Sequence, residues 1–259
     1  RKYLPQEARE TDDSYDVRLS RSTVVPYLQR IEKMLSGMLV RKPVRLDDVS
    51  DLIREQLFDV DLEGNDLNVW LYQTARQAIS FGHIGVLVDA PKEGDKTRPY
   101  WVTYTPKDIL GFRSEVIDGE RQLTQIRLME QVIEPDGKYG DKIIKQIRVL
   151  ERGRYEIHRK DDKKNEYKLF EEGEMSLKDK IPFAVAYSNR VGYYESRSPL
   201  YDIAELNLKH YQIQSDLDNI LHISSVPLLA VFGYPNADEI TTGPSEALSL
   251  PPESRMEYI

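Results

Sequence analysis

The residues best suited to metal chemistry in this chain are Pro135-Asp136 and, further on, Glu166-Tyr167-Lys168. Some nucleases carry a Pro-Asp and a later Glu-x-Lys on adjacent strands. There the carboxylates hold Mg²⁺ and the lysine assists the attacking water. Two features weigh against that chemistry here. Pro135-Asp136-Gly137 has the composition of a turn, and Glu-x-Lys arises readily by chance in a chain with 31% charged residues. A Mg²⁺-dependent nuclease is therefore the minor alternative. The histidines His83, His158, His210 and His222 stand at no metal-ligand spacing, and no His-Glu-x-x-His occurs. Gly82, Gly85 and Gly111 form no phosphate loop, and no Gly-x-Ser-x-Gly elbow is present. On these grounds the chain is expected to be no enzyme. No catalytic residue, no cofactor-binding residue and no metal ligand is assigned, and no cofactor is expected.

The bulk composition narrows the classes further. The formal net charge of −8 argues against tight, sequence-independent wrapping of nucleic acid, which needs many Lys and Arg contacts to phosphate. It leaves room for a surface past which DNA slides. The absence of cysteine excludes disulfides and thiolate metal sites. No apolar run has the length of a membrane span, so no membrane partner is expected. The chain opens on Arg1 and ends in the strand-like Met256-Glu257-Tyr258-Ile259, which reads as a piece of a longer polypeptide. Basic clusters at Arg18–Arg21, Arg41–Arg45 and Arg159-Lys160 lack interleaved aromatics of the kind that stack bases and read as solvated helix ends and loops.

The elements that must position these residues follow from periodicity. An extended arm over 1–11 has one apolar spot, Tyr3-Leu4-Pro5. From Asp12 to about Val40 apolar residues recur at three- and four-residue steps, with Pro26 set to kink or divide the helix. Asp47 to Phe58 suggests a short helix. Asn65 to Phe81 is a helix with Leu67, Trp70, Leu71, Thr74, Ala75, Ala78 and Ile79 on one face, and Gly82 placed to end it. Ile84 to Val88 reads as a buried strand. From Tyr100 to about Ser188 the period changes to two, giving a mostly antiparallel meander that runs through Leu123–Glu134 and Ile143–Arg152 to Ile181–Tyr187. Asp161 to Asn165 reads as a solvated hairpin tip. The expected fold class is α+β: N-terminal helices and a mostly antiparallel sheet, then one long helix.

That helix is the most distinctive element. Ser198 is a good N-cap and Pro199 fits the first helical position. Asp202 and Glu205 place negative charge near the positive end of the dipole. The helix is expected to run to about His222, and its apolar residues, Leu200, Ile203, Leu206, Tyr211, Ile213, Leu217 and Ile220, spread over more than one face. A helix apolar on several sides is usually buried among neighbours. Val226 to Phe232 follows as a strand, and 236–252 is loop-like.

Four segments in order resemble tailed-bacteriophage portal proteins, in particular a phage family long catalogued only as a domain of unknown function. They are Tyr3-Leu4-Pro5 with the helix ending at Met34–Leu46; Val60–Pro91, with its Asp-Leu-x-Gly, helix and Gly-x-x-Gly-x-Leu-Val-Asp; Arg98–Arg113; and Ser196–His222. The resemblance implies a homo-oligomeric ring, typically dodecameric, at one capsid vertex of the virion and assembled in the host cytoplasm. Such a head-tail connector serves double-stranded DNA packaging and ejection. Its partners would be the terminase motor, a head-tail adaptor, the major capsid protein, and DNA passing through without sequence-specific binding. Residues 1–197 would be the wing, 198–222 the first stem helix and 223–259 the start of the clip. Ile203, Leu206, Tyr211, Leu217 and Ile220 would then meet neighbouring subunits, and Asp202, Glu205, Asp216 and Asp218 would lie nearer the channel. Another phage structural protein, a head-tail adaptor or tail component, is the alternative.

Overall fold

The computed structural model describes residues 2–89, 98–161, 166–225, 229–232 and 255–258. The chain divides into two compact units, Tyr27–Ala204 on one hand and Arg1–Pro26 with Glu205–Ile259 on the other.

The larger unit holds helices α2 (Tyr27–Leu39), α3 (Asp51–Gln56) and α4 (Leu67–Phe81), two larger antiparallel sheets, and a short antiparallel pair of β9 (Arg190–Gly192) with β10 (Glu195–Ser196). One sheet orders β2 (Tyr100–Tyr104), β1 (His83–Asp89) and β8 (Phe183–Tyr187), with β1 in the middle. The other is a five-stranded meander in sequence order: β3 (Ile109–Ile117), β4 (Glu120–Asp136), β5 (Gly140–Glu151), β6 (Arg154–Asp161) and β7 (Glu166–Glu174). Leu87, Tyr104 and Phe183 of the small sheet pack with Leu123, Ile126, Leu128 and Leu150 of the large one in a single apolar cluster. Gly85 is required there: a Cβ at this position would stand 2.2 Å from the Phe183 ring.

Helix α4 follows the expected pattern. Asp66 caps it by accepting the Val69 N–H at 2.8 Å, and Trp70, Thr74, Ala78 and Ile79 are its buried stripe. Trp70 meets Trp101 edge-on at 4.8 Å. Gly82 ends the helix at φ +93°, a conformation that costs glycine little.

Several expectations change in three dimensions. Pro26 divides the first helical pattern outright into α1 (Asp12–Arg21) and α2, with five non-helical residues between them. The short helix shrinks to Asp51–Gln56. Ile181–Tyr187 does not continue the meander; β8 pairs with β1, Phe183 opposite Leu87 and Tyr187 opposite His83. Pro135 and Asp136 are not a turn. They belong to β4, opposite Asp141 and Gly140. The reason is that β3 pairs with β4 no further than Leu128. Beyond Met129, whose N–H donates to the Asp108 carbonyl at 2.7 Å, that edge of β4 has no strand partner among the described residues, and a proline without an N–H removes no ladder bond there. The Asp161–Asn165 hairpin tip lies, from 162 on, outside the described residues, as do 226–228 of the expected Val226–Phe232 strand and the 236–252 loop.

Helix α5 (Tyr201–Ser225) carries the chain from the larger unit into the smaller. The smaller unit packs α1 on α5 and ends in a two-stranded antiparallel pair, β11 (Leu229–Phe232) with β12 (Arg255–Tyr258).

Candidate functional site: the long helix

The helix starts from a tightly bonded junction in the larger unit. Ser198 Oγ accepts the Leu200 N–H at 3.1 Å and donates to the Ile79 carbonyl at 3.1 Å. Ser188 Oγ donates to the Ala78 carbonyl at 2.6 Å. The exposed carbonyls at the end of α4 are thus taken by serines of the strand and loop that lead into α5. His83, buried beside them, holds Ser196 Oγ at 2.6 Å from its Nδ1, and burial pushes its pKa down, favouring the neutral ring. Among the described residues no carboxylate bonds that histidine, and the pair has the geometry of a structural tie.

Within the smaller unit one face of α5 is occupied by the N-terminal residues. Ser215 is buried; its Oγ lies 2.7 Å from Ser22 Oγ and 3.4 Å from Arg18 Nη1. Gln212 donates to the Tyr3 carbonyl at 3.1 Å. Arg18 is the centre of this contact and is only 4% exposed. It bonds both oxygens of Glu10 at 2.7 Å and the Pro5 carbonyl at 2.9 Å, and Asp216 stands 3.6 Å away. The bond from Arg18 holds the Glu10 carboxyl below its ordinary pKa, and Glu10 in turn raises that of Arg18. Tyr15 is fully buried and donates to the Leu4 carbonyl at 2.8 Å. The basic cluster at Arg18–Arg21 is therefore not simply a solvated helix end.

The opposite face of α5 is apolar and open. Leu206 is 69% exposed, Ile213 55%, Leu217 46% and Ile220 60%. With half-buried Ile203 and His210 they fall at alternating three- and four-residue steps, the spacing of a coiled-coil seam. Leu221 widens the stripe. At 100° per residue the seam lies roughly opposite the Tyr211–Ser215 face.

Of the residues expected at a subunit interface, Ile203, Leu206, Leu217 and Ile220 share this seam. Tyr211 does not. It is buried within the chain, one turn before Ser215 on the occupied face. Ile213 was not among the expected interface residues, although its place in the three-four spacing is legible in the sequence. Asp202, Glu205 and Asp216 are exposed along one flank of the seam. Asp202 pairs with Arg197 at 3.3 Å. Asp218 is half-buried on the other flank and accepts from Gln214 Nε2 at 2.8 Å.

The residues that suggested nuclease chemistry are not brought together. Glu166 opposes Asp161 on β6, and that row, carried across β5, meets β4 at Val132. Asp136 lies three strands over and four residues further along, roughly 20 Å away at ordinary strand spacings. Among the described residues no group of three or more His, Cys, Asp or Glu is placed to hold a metal ion.

No curated protein matches the chain. Over residues 199–259, which take in α5 and the β11–β12 pair, the chain is similar to the family described as Domain of unknown function (DUF4055).

Proposed function

We propose that this chain is a subunit of a portal-type ring, the conduit for double-stranded DNA at one capsid vertex. The observation that carries the reading is the open seam of α5. One face of the helix is taken by the chain's own N-terminal residues, while Leu206, Ile213, Leu217 and Ile220 on the other stay largely exposed among the described residues. A contiguous apolar stripe of this length is a surface for another helix.

Three further points support the reading. Four sequence segments resemble portal proteins in the same order along the chain. The order of elements, an α+β region, a long helix and then a strand pair, accords with wing, stem and the start of a clip. The acidic balance suits a channel that must let phosphate pass without gripping it. In such a ring each subunit meets its neighbours through two different patches, and the rotation between them closes the assembly. The ring would dock the terminase motor, the head-tail adaptor and the major capsid protein, with no bound cofactor and no chemical step of its own.

The test is the mass and shape of the purified chain in solution. Native mass spectrometry should give one closed oligomer, about a dozen subunits as in the portal proteins it resembles, and negative-stain images should show rings with a central hole. A chain that remains monomeric at high concentration and gives no rings in the microscope would count against the proposal.

A further inference from the structure

Strand β2 is an edge of the three-stranded sheet, and its outer side is only half used. Val88 opposes Trp101 and Val86 opposes Thr103 across the ladder with β1. The Trp101 N–H donates away from that ladder, to the Val60 carbonyl at 2.9 Å. Outward direction recurs every second residue, so the N–H and C=O of Thr103 also point away from β1. They meet no backbone partner among the described residues.

Two cavities flank this free edge, one on each face of β2. On the α4 side a space of about 380 Å³ is lined by Trp70, Gln73 and Gln77 together with Asp61 and Glu63, and no Lys, Arg or His among the described residues lines it. On the side of the large sheet a space of about 450 Å³ sets Met129 and Val132 beside Glu130 and Arg148. Here the charges are largely spoken for: Arg148 donates to Asp89 at 2.7 Å and forms an ion pair with Glu130 at 2.8 Å. Successive side chains of β2 already divide between the two sides. Trp101 turns to Trp70, and Tyr104 donates to Glu130 at 2.6 Å.

We propose that the free edge of β2 takes an extended, basic segment of a partner protein as an added strand. Its backbone bonds Thr103. Its side chains alternate between the two cavities, as the pleat requires. Lysine or arginine at every second position faces Asp61 and Glu63, and the apolar residues between them face Met129 and Val132. The Asp61 and Glu63 carboxylates of the first cavity select the charge; the mixed lining of the second selects the alternation. The inference does not rest on the ring reading, since every residue involved lies within the larger unit.

The probe is a short fluorescein-labelled peptide of alternating lysine and valine, titrated with the full chain and followed by fluorescence anisotropy. Two companion peptides carry glutamate for every lysine, or N-methyl groups on alternate amides. The plain peptide should bind. The N-methylated peptide should bind about tenfold more weakly or worse, because it cannot bond the edge. Thr103→Pro should give a loss of similar size with an unchanged thermal melt, since its N–H serves no ladder bond. Glu63→Lys should weaken binding of the lysine peptide. Should Thr103→Pro lower the melt, the N-methylated peptide on the unaltered chain decides. The proposal is overturned if the lysine–valine peptide fails to bind, if the glutamate peptide binds as well, or if N-methylation changes nothing. It is also overturned if Thr103→Pro abolishes self-association of the chain while peptide binding stays unmoved, because the edge then belongs to a second copy.

Discussion

Replacing Leu206 and Leu217 by glutamine separates a helix face that serves assembly from one that serves the fold. Glutamine has nearly the helix propensity of leucine, so the helix itself loses little. Leu206 is 69% exposed and Leu217 46%. Leu206→Gln removes little burial from the single chain and stays within about 0.5 kcal/mol, whereas Leu217→Gln gives up the buried half of its side chain, about 1 kcal/mol. Full burial of a leucine stabilises by about 1.5–3 kcal/mol. The exposed fraction leaves about 1–2 kcal/mol per residue to be gained in a contact between copies, a factor of roughly five to thirty in each contact's equilibrium constant. A ring repeats that loss at every interface. Tyr211→Ala is the contrast: Tyr211 is buried on the occupied face, and its loss should cost the single chain about 3 kcal/mol. Light scattering reports assembly, and urea unfolding of the dilute chain reports the fold. Glutamine variants that assemble as the parent does, or that unfold as readily as Tyr211→Ala, would refute the division of α5 into an inner and an outer face.

Trp70→Ala should lower stability by about 3–5 kcal/mol in urea unfolding, because the indole is buried against Trp101; a loss of a few tenths would place it at the surface. Gly85→Ala should cost about 1–3 kcal/mol, since the new methyl must displace the Phe183 ring, and Phe183→Leu in the same chain should recover part of it. Arg148→Met should cost about 3–5 kcal/mol at neutral pH by leaving Asp89 and Glu130 without their cation, and adding Glu130→Gln should restore some of that, a result that equal losses in the single and double variants would exclude. Glu10, with a pKa held down by Arg18, contributes stability that is present above its ordinary carboxylate range and is lost as pH falls through its lowered value. Protection of the α1 amides from hydrogen exchange, taken relative to the intrinsic rate at each pH, should therefore fall on acidification below that range, and Glu10→Gln should remove the dependence; an unchanged pH profile in that variant would show that another group is responsible.

Local chemistry was legible in the sequence wherever a few neighbouring residues decide the outcome. The buried stripe of α4, its stop at Gly82 and the Ser198 cap are of this kind, because each needs only a helical period or a hydroxyl next to a free N–H. Sheet membership was not. β1 and β8 stand nearly a hundred residues apart, and alternation alone cannot say whether a strand continues a meander or crosses to another sheet. Pro135 misled for the same reason, since its tolerance in β4 depends on where β3 stops.

The long helix divides along the same line. Pooled together, its apolar residues spread over several faces, and from the sequence they read as one helix buried on all sides. What sorts them is a contact from the far end of the chain: Arg18, Ser22 and Tyr3 claim the turn around Ser215. Arg18 itself looked like solvated charge because its partner Glu10 lies eight residues upstream, at no helical spacing. Once that contact is in place, Tyr211 lies buried on the occupied face and Ile213 falls on the exposed one. The remaining residues fall on a single three-four seam. A seam of that regularity facing solvent is poorly explained by the needs of one chain, whose stability it does not serve, and well explained by a neighbour.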